Sequence, residues 1–372
     1  MKVLITGGHM GPALAVISAL PKDMEVVYVG RKYTFEGDMG YSLEYQTISK
    51  MGIPFIPLTT GRFQRVITPY TLKSLIKIPR GIFEAIKILR REKPDVVLGF
   101  GGYLSLPIGF AAKILGIPLV IHEQILKVGM ANKILGKFAT KICLSWEESR
   151  QFFPHEKVVL TGNPLLPFSE KFSTKLPKGN LPLLVVVGGS GGSHAINVVI
   201  EQSLKDLVYS FRILHQTGDA REFGDFERLE NLKGSLPEKE RERYEVVKFI
   251  RPEDVWGILN KADIVVGRSG INTVTMLLVL IKNSLLIPLP HGQKNEQEEN
   301  AKLLANYGLA KILNQNSIDP KNFAIEVKKA MNQKVKDKEL LQKKAELHKY
   351  AAERIVSTIK SCAQGISKEE IK

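Results

Sequence analysis

Cysteine is scarce: the 372-residue chain has two, Cys143 and Cys362. They stand far apart, with no histidine or cysteine at a metal-ligand spacing, which suits a reducing, cytoplasmic setting. Long apolar runs are also missing. None approaches the ~20 residues that a membrane span requires. The first residues, MKVLIT, enter a strand pattern directly, with no basic-then-apolar leader. Zinc-finger spacing, an aromatic-rich RNA-binding signature and a basic tail are all lacking, so nucleic acid is discounted as a partner. HExxH, CxxC and a loop-borne DxD are absent, and no GK[ST] follows either glycine loop. The residues therefore call for neither a metal nor a further cofactor.

Acid is the minority charge, with 38 Asp and Glu against 53 Lys and Arg and a net charge of +15. The excess is concentrated. Between Arg62 and Lys93 nine cations (62, 65, 73, 77, 80, 87, 90, 91 and 93) face two acids, Glu84 and Glu92, among Ile67, Leu75, Ile82, Phe83, Ile86 and Leu89. Such a stretch suits an anionic membrane surface. It equally suits a core-packed helix with a solvated basic face.

Apolar strand patterns recur with helical patterns between them. KVLIT, VVYVG, GIPFIPL, PDVVLGF, PLVIHEQ and KICLS come first. A Pro-rich polar run, 163–182, reads as a linker, after which LPLLVVV, FRILHQTG, YEVVKFI, ADIVVG and SLLIPL restart the alternation. The length also favours two domains. The expected class is α/β, with two doubly wound, Rossmann-like parallel sheets facing a cleft. The boundaries are 1–162, the linker 163–182, 183–340, and a C-terminal helix in 341–372 that packs back towards the first domain.

In such sheets ligands bind beyond the carboxyl ends of the strands. Gly7-Gly8-His9 and the GGSGG run Gly188 to Gly192 each join a strand to a helix. Glycines there either make a tight turn or let backbone N–H groups approach a diphosphate at a helix N-terminus. Arg268, Ser269 and Gly270 form a similar turn after ADIVVG, with a buried helix expected from Thr273 to Ile281. His9 could take a proton from an attacking hydroxyl, or be structural. His122-Glu123-Gln124 could orient a substrate or tie neighbouring loops together. His291 and the run Gln293 to Gln297 could hold sugar hydroxyls or form a solvated loop. The residues by themselves indicate a metal-free enzyme acting on a nucleotide-type ligand.

Eight stretches are more specific: TGGH…PALAV, FGGYLSLP, IHEQ…GMANK, TGNP, GGSGGSHAIN, HQTG, RSGINTV and NEQEENA. In that order they resemble the MurG family of peptidoglycan glycosyltransferases, from the first strand to about Leu313. The resemblance implies a two-domain GT-B fold and a metal-free inverting transfer of N-acetylglucosamine from UDP-N-acetylglucosamine to lipid I, giving lipid II. It also implies a peripheral position on the cytoplasmic face of the bacterial membrane, which favours the membrane reading of Arg62–Lys93. His9 would be the catalytic base. Gly8, Ser190, Gly191, Phe249, Ile250, Arg268, Ser269, Gly270 and Gln297 would form the donor site, with Phe249 and Ile250 flanking the uracil. Gly102, Tyr103, His122 and Glu123 would lie on the acceptor side.

Gly11 stands where the family commonly has a larger residue, and three positions that are usually polar are apolar here. Ile125 stands where Asn or a small polar residue is usual, Leu166 where Arg is usual, and Met276 where a ribose-holding Glu is usual. Losing the carboxylate and the cation is expected to weaken donor binding by roughly 1.5–3 kcal/mol each. If additive, that is about two to four orders of magnitude in affinity. Another nucleotide sugar or acceptor, or a catalytically silent scaffold, are the alternatives these departures raise.

Overall fold

The computed structural model describes residues 1–33, 40–60, 69–189, 191–220, 222–290 and 295–365, with backbone alone for 69–78. The chain forms two compact units: Met1–Leu166 with Leu347–Lys372, and Pro167–Glu346.

In the first unit, β1 (Lys2–Gly7), β2 (Glu25–Gly30), β3 (Phe55–Pro57), β4 (Val96–Phe100), β5 (Leu119–Glu123), β6 (Lys141–Leu144) and β7 (Val158–Leu160) build one parallel sheet. Its order is β3-β2-β1-β4-β5-β6-β7. The β1 strand pairs with both β2 and β4, so the winding reverses there. The strands are near-continuous Val, Ile and Leu because helices cover both faces. Period-two alternation sorts their side chains into two cores. Leu4, Val97, Leu119 and Ile121 belong to one, and Val3, Ile5, Val96, Leu98 and Val120 to the other.

The second core is closed by the C-terminal segment. Ala352, Ile355, Val356 and Ile359 pack into it. The single long helix expected there is two, Lys338–Lys349 and Ala351–Ala363, parted at Tyr350 (φ −107°, ψ 24°). Just before the break, buried His348 accepts a hydrogen bond at Nδ1 from the Asn163 N–H, 2.8 Å away, and its ring lies 4.4 Å from that of Trp146. That tie fixes the segment where it joins the first unit.

The second unit repeats the plan with β8 (Leu183–Val187), β9 (Arg212–Gln216), β10 (Tyr244–Val247), β11 (Ile264–Gly267), β12 (Ser284–Leu286) and β13 (Ala310–Ile312). Their order is β10-β9-β8-β11-β12-β13, all parallel, reversing between β8 and β11. The run 163–182 is no free tether. Residues up to Leu166 group with the first unit and the rest with the second. Ser173 and Thr174 each donate backbone and hydroxyl hydrogen bonds to Asp254 Oδ2, at 3.0–3.2 Å, and Phe168 packs edge-on against Trp256.

Candidate functional site

In the first unit two glycine pairs meet at the switch point. The Gly8 N–H donates to the Gly101 carbonyl at 3.1 Å. A Cβ on Gly102, at φ +75°, would stand 3.0 Å from the Gly8 nitrogen. Only glycine lets the two backbones come this close. His9 follows at the N-cap of the helix Met10–Ala19 without using its side chain as a cap. Its Nδ1 lies 2.7 Å from Gln124 Nε2, just beyond the end of β5. Burial, which still leaves part of the residue open to solvent, lowers the imidazole pKa to about 4. At neutral pH the ring is therefore uncharged and available as a proton acceptor.

His122 and Glu123 are placed differently from the expectation that they face an acceptor. They are 1% and 2% exposed. His122 Nε2 lies near Ser145 Oγ and the Gly162 carbonyl, and its pKa falls to about 3, first through burial. Glu123 accepts from the Ile125 and Gly129 N–H groups and from Asn132 Nδ2, at 3.0–3.2 Å. Glu123 holds the loop after β5 together, and His122 ties the end of β5 to the segments after β6 and β7. Buried polar groups without such partners would be costly. Gln124, named in that run but given no role of its own, is the member of the trio that reaches His9. Its position one residue past a buried strand, at the ligand-binding edge, was the available signal. Gly102 opens the helix Gly102–Leu115, with Tyr103 half-buried beside it. Ile125 and Leu166 are half-buried in the same unit.

In the second unit the loop after β8 is clamped from below. A Cβ on Gly192, at φ +77°, would come 2.0 Å from the Thr217 carbonyl oxygen, and Gln216 Nε2 donates to the Gly189 carbonyl at 2.9 Å. Gly189 and Gly191 are exposed, and Ser190 lies outside the described residues. The helix His194–Ser210 starts there, with Ser193 Oγ buried at its N-cap and without a partner among the described residues. An N-terminus of this kind attracts an anion.

The turn after β11 is built from side chains turned inward. Arg268 Nη1 donates to the Ile287 and Pro288 carbonyls and Nη2 to Gln315 Oε1, at 2.6–3.2 Å. Ser269 Oγ donates to the Gln297 carbonyl at 2.6 Å, and Asn300 Nδ2 to the Ser269 carbonyl at 3.0 Å. Gly270 then caps the helix Ile271–Val279, two residues earlier than expected, with half-buried Met276 on it. Gln297 Oε1 accepts from the Leu289 N–H at 3.0 Å. His291 to Lys294 lie outside the described residues. Phe249 is 53% exposed while its neighbour Ile250 is buried, so only the former offers a free ring.

Residues 6–144 match the glycosyltransferase family 28 N-terminal domain and residues 183–358 the family 28 C-terminal domain. A UDP-N-acetylglucosamine–N-acetylmuramyl-(pentapeptide) pyrophosphoryl-undecaprenol N-acetylglucosamine transferase from Clostridium botulinum is 32% identical over 334 residues, covering 87% of this chain and 88% of its own length. The enzyme of the same name from Clostridium kluyveri is 33% identical over 341 residues, covering 88% and 90%. Among solved structures, MurG from Acinetobacter baumannii superposes with a TM-score of 0.71 at 26% identity, covering 97% of this chain and 99% of that one.

Proposed function

The chain belongs to glycosyltransferase family 28, within its MurG-type N-acetylglucosaminyltransferases, and from that premise we propose that it makes lipid II. The donor is UDP-N-acetylglucosamine and the acceptor lipid I, the undecaprenyl-diphosphate-linked muramyl-pentapeptide. The observation that carries the reading is the uncharged, partly open His9 at the sheet's switch point. In this mechanism an acceptor sugar hydroxyl attacks C1 of the donor sugar with inversion. His9 takes the hydroxyl proton, and the bond from C1 to the UDP oxygen breaks. The N-termini of His194–Ser210 and Ile271–Val279 stabilise the departing diphosphate by fixed backbone dipoles. Gly8, Gly191, Gly270 and Ser190 are assigned to that end of the donor, Phe249 and Ile250 to the uracil, and Gln297 to the donor sugar. Arg268 and Ser269 act there by shaping the turn. Gly102 and Tyr103 remain on the acceptor side.

Association with an anionic membrane belongs to the same proposal. On the helix Pro69–Glu92, Ala85, Ile88 and Leu89 are buried while Arg80, Phe83, Lys87, Arg90 and Arg91 are exposed. Ile114, on the neighbouring helix, is 63% exposed. Cations around exposed apolar side chains suit the cytoplasmic leaflet. Among the described residues no helix is long and apolar enough to cross a membrane. Phe83→Ser combined with Lys87→Glu is expected to lower binding to phosphatidylglycerol vesicles and leave phosphatidylcholine vesicles unbound as before.

Turnover of UDP-N-acetylglucosamine with lipid I tests the activity directly. Calorimetry on the chain and on a Met276→Glu, Leu166→Arg, Ile125→Asn variant tests the donor site. Micromolar binding by both supports the enzyme as it stands. Binding only by the variant favours a scaffold with a disabled donor site, for which the apolar Ile125, Leu166 and Met276 are the specific observation.

A further inference from the structure

A base needs a free lone pair, and for a histidine the other ring nitrogen decides whether it has one. Among the described residues His9 Nδ1 has one polar neighbour within hydrogen-bond length, the Gln124 amide at 2.7 Å. An amide can present either N–H or C=O there, because its two ends differ in little besides their protons. With the nitrogen facing the ring, Nδ1 accepts, the ring proton sits on Nε2, and no free ring lone pair remains to act as a base. With the oxygen facing it, Nδ1–H donates and Nε2 keeps its lone pair. The oxygen, away from the ring, is buried without a partner, and a half-turn puts the nitrogen in its place. Burial of the amide therefore does not choose between the two; the ring proton does.

We propose that Gln124 is the positioning residue for His9, its carbonyl oxygen holding the proton on Nδ1 so that Nε2 receives the acceptor's proton. This rests on the transferase reading and deepens it. Gln124 is 5% exposed, and its backbone carbonyl accepts from Trp146 Nε1 at 2.9 Å, so the amide is carried by a fixed backbone. It is also neutral. A carboxylate in its place would favour the imidazolium and raise the pH below which the base is already occupied. The other titratable groups near the ring do not supply that charge. His122 stays neutral, and Glu123 is bound to Ile125, Gly129 and Asn132. Once Nε2 is protonated, the same oxygen receives the Nδ1–H of the imidazolium, as an orienting group should.

The test begins without substrate. Nitrogen-15 spectra of the imidazoles, with His9 assigned from a His9→Asn variant, report the tautomer in the free protein. The expected result is Nδ1–H in the wild type and Nε2–H, the solution preference, in Gln124→Leu. An Nε2–H ring in the wild type, or an unchanged tautomer in Gln124→Leu, overturns the proposal. In turnover, Gln124→Leu should lower kcat roughly 10- to 100-fold, less than the roughly 10²- to 10⁴-fold a general base contributes, with KM nearly unchanged. Gln124→Glu preserves size and hydrogen bonding, and should fold, retain much of kcat near neutral pH and move the acidic limb of the rate profile upward. A limb that does not move counts against the proposal. Because the tautomer needs no turnover, an inactive wild type would remove the transferase reading and leave this one standing or falling on the spectra.

Discussion

In the first unit the loop after β1 ends on His9, a titratable side chain in a residue partly open to solvent. In the second, the loop after β8 is held by a side chain from β9, and the turn after β11 points its polar side chains inward. Gln216 holds Gly189, Ser269 holds Gln297, and Arg268 holds Ile287, Pro288 and Gln315. Exposed there are the backbones of Gly189 and Gly191. The difference fits the two tasks proposed for them. Proton transfer needs a lone pair whose basicity the surroundings set. Binding a diphosphate needs N–H groups that are already aligned and do not reorganise. One fold, used twice, offers a titratable side chain in one copy and fixed dipoles in the other.

The largest effect should come from His9→Ala. It is expected to lower kcat by roughly 10² to 10⁴-fold, with UDP-N-acetylglucosamine affinity unchanged by calorimetry and the melting temperature preserved. Unchanged turnover would remove the side-chain half of the comparison. The backbone half is sharpened by a pair of neighbours. Gly192→Ala forces a Cβ against the Thr217 carbonyl at a positive φ, whereas a Cβ on Gly191 meets no atom within 4 Å. Denaturant unfolding should show a loss of about 2–4 kcal/mol for the first and within about 0.5 kcal/mol for the second. Equal losses would mean that close backbone packing is not what Gly192 provides.

The strand-and-helix plan was legible because its signals are local. Val, Ile and Leu runs such as LPLLVVV mark buried strands, and glycines mark the turns after them. The short edge strands β7 and β13, three residues each, carry too little pattern to stand out. The break at Tyr350 was not legible for another reason: His348 and its partner Asn163 are 185 residues apart. The same holds within the candidate site. His9 could be picked from its position after a glycine turn. That Gln124 rather than His122 or Glu123 meets it depends on how β1, β4 and β5 lie side by side. Burial likewise separates His122 from His9, and two histidines at strand ends look alike in sequence.

The smallest effect concerns acid, and it again sets one unit against the other. His122 in the first unit and His215 in the second are both buried, with pKa lowered to about 3. Each binds its proton in the unfolded chain, near 6.5, long before it does so in the fold. Each thus contributes stability that is complete above pH 6.5 and lost as pH falls towards 3, by up to about 1.4 kcal/mol per pH unit. His9 adds to this in the first unit down to about pH 4. Glu44 and Glu123, raised by burial, act in the opposite sense, since the fold keeps them protonated at a pH where the unfolded chain has ionised them. They offset part of that loss above about pH 4.5. In the second unit Asp225 and Asp254 are held below the usual carboxylate value by hydrogen bonds from Asn197 and His194 and from Thr174 and Ser173, which outweigh the burial that raises them. Their stabilisation disappears as pH drops below 3.8, where His9 has largely taken up its proton and His122 is still uncharged. The second unit should therefore lose stability more steeply between pH 4 and 3. Each unit holds one of the two tryptophans, Trp146 and Trp256. Fluorescence-monitored unfolding of Trp146→Phe and Trp256→Phe variants across that range reads the slopes separately, and equal slopes would erase the contrast.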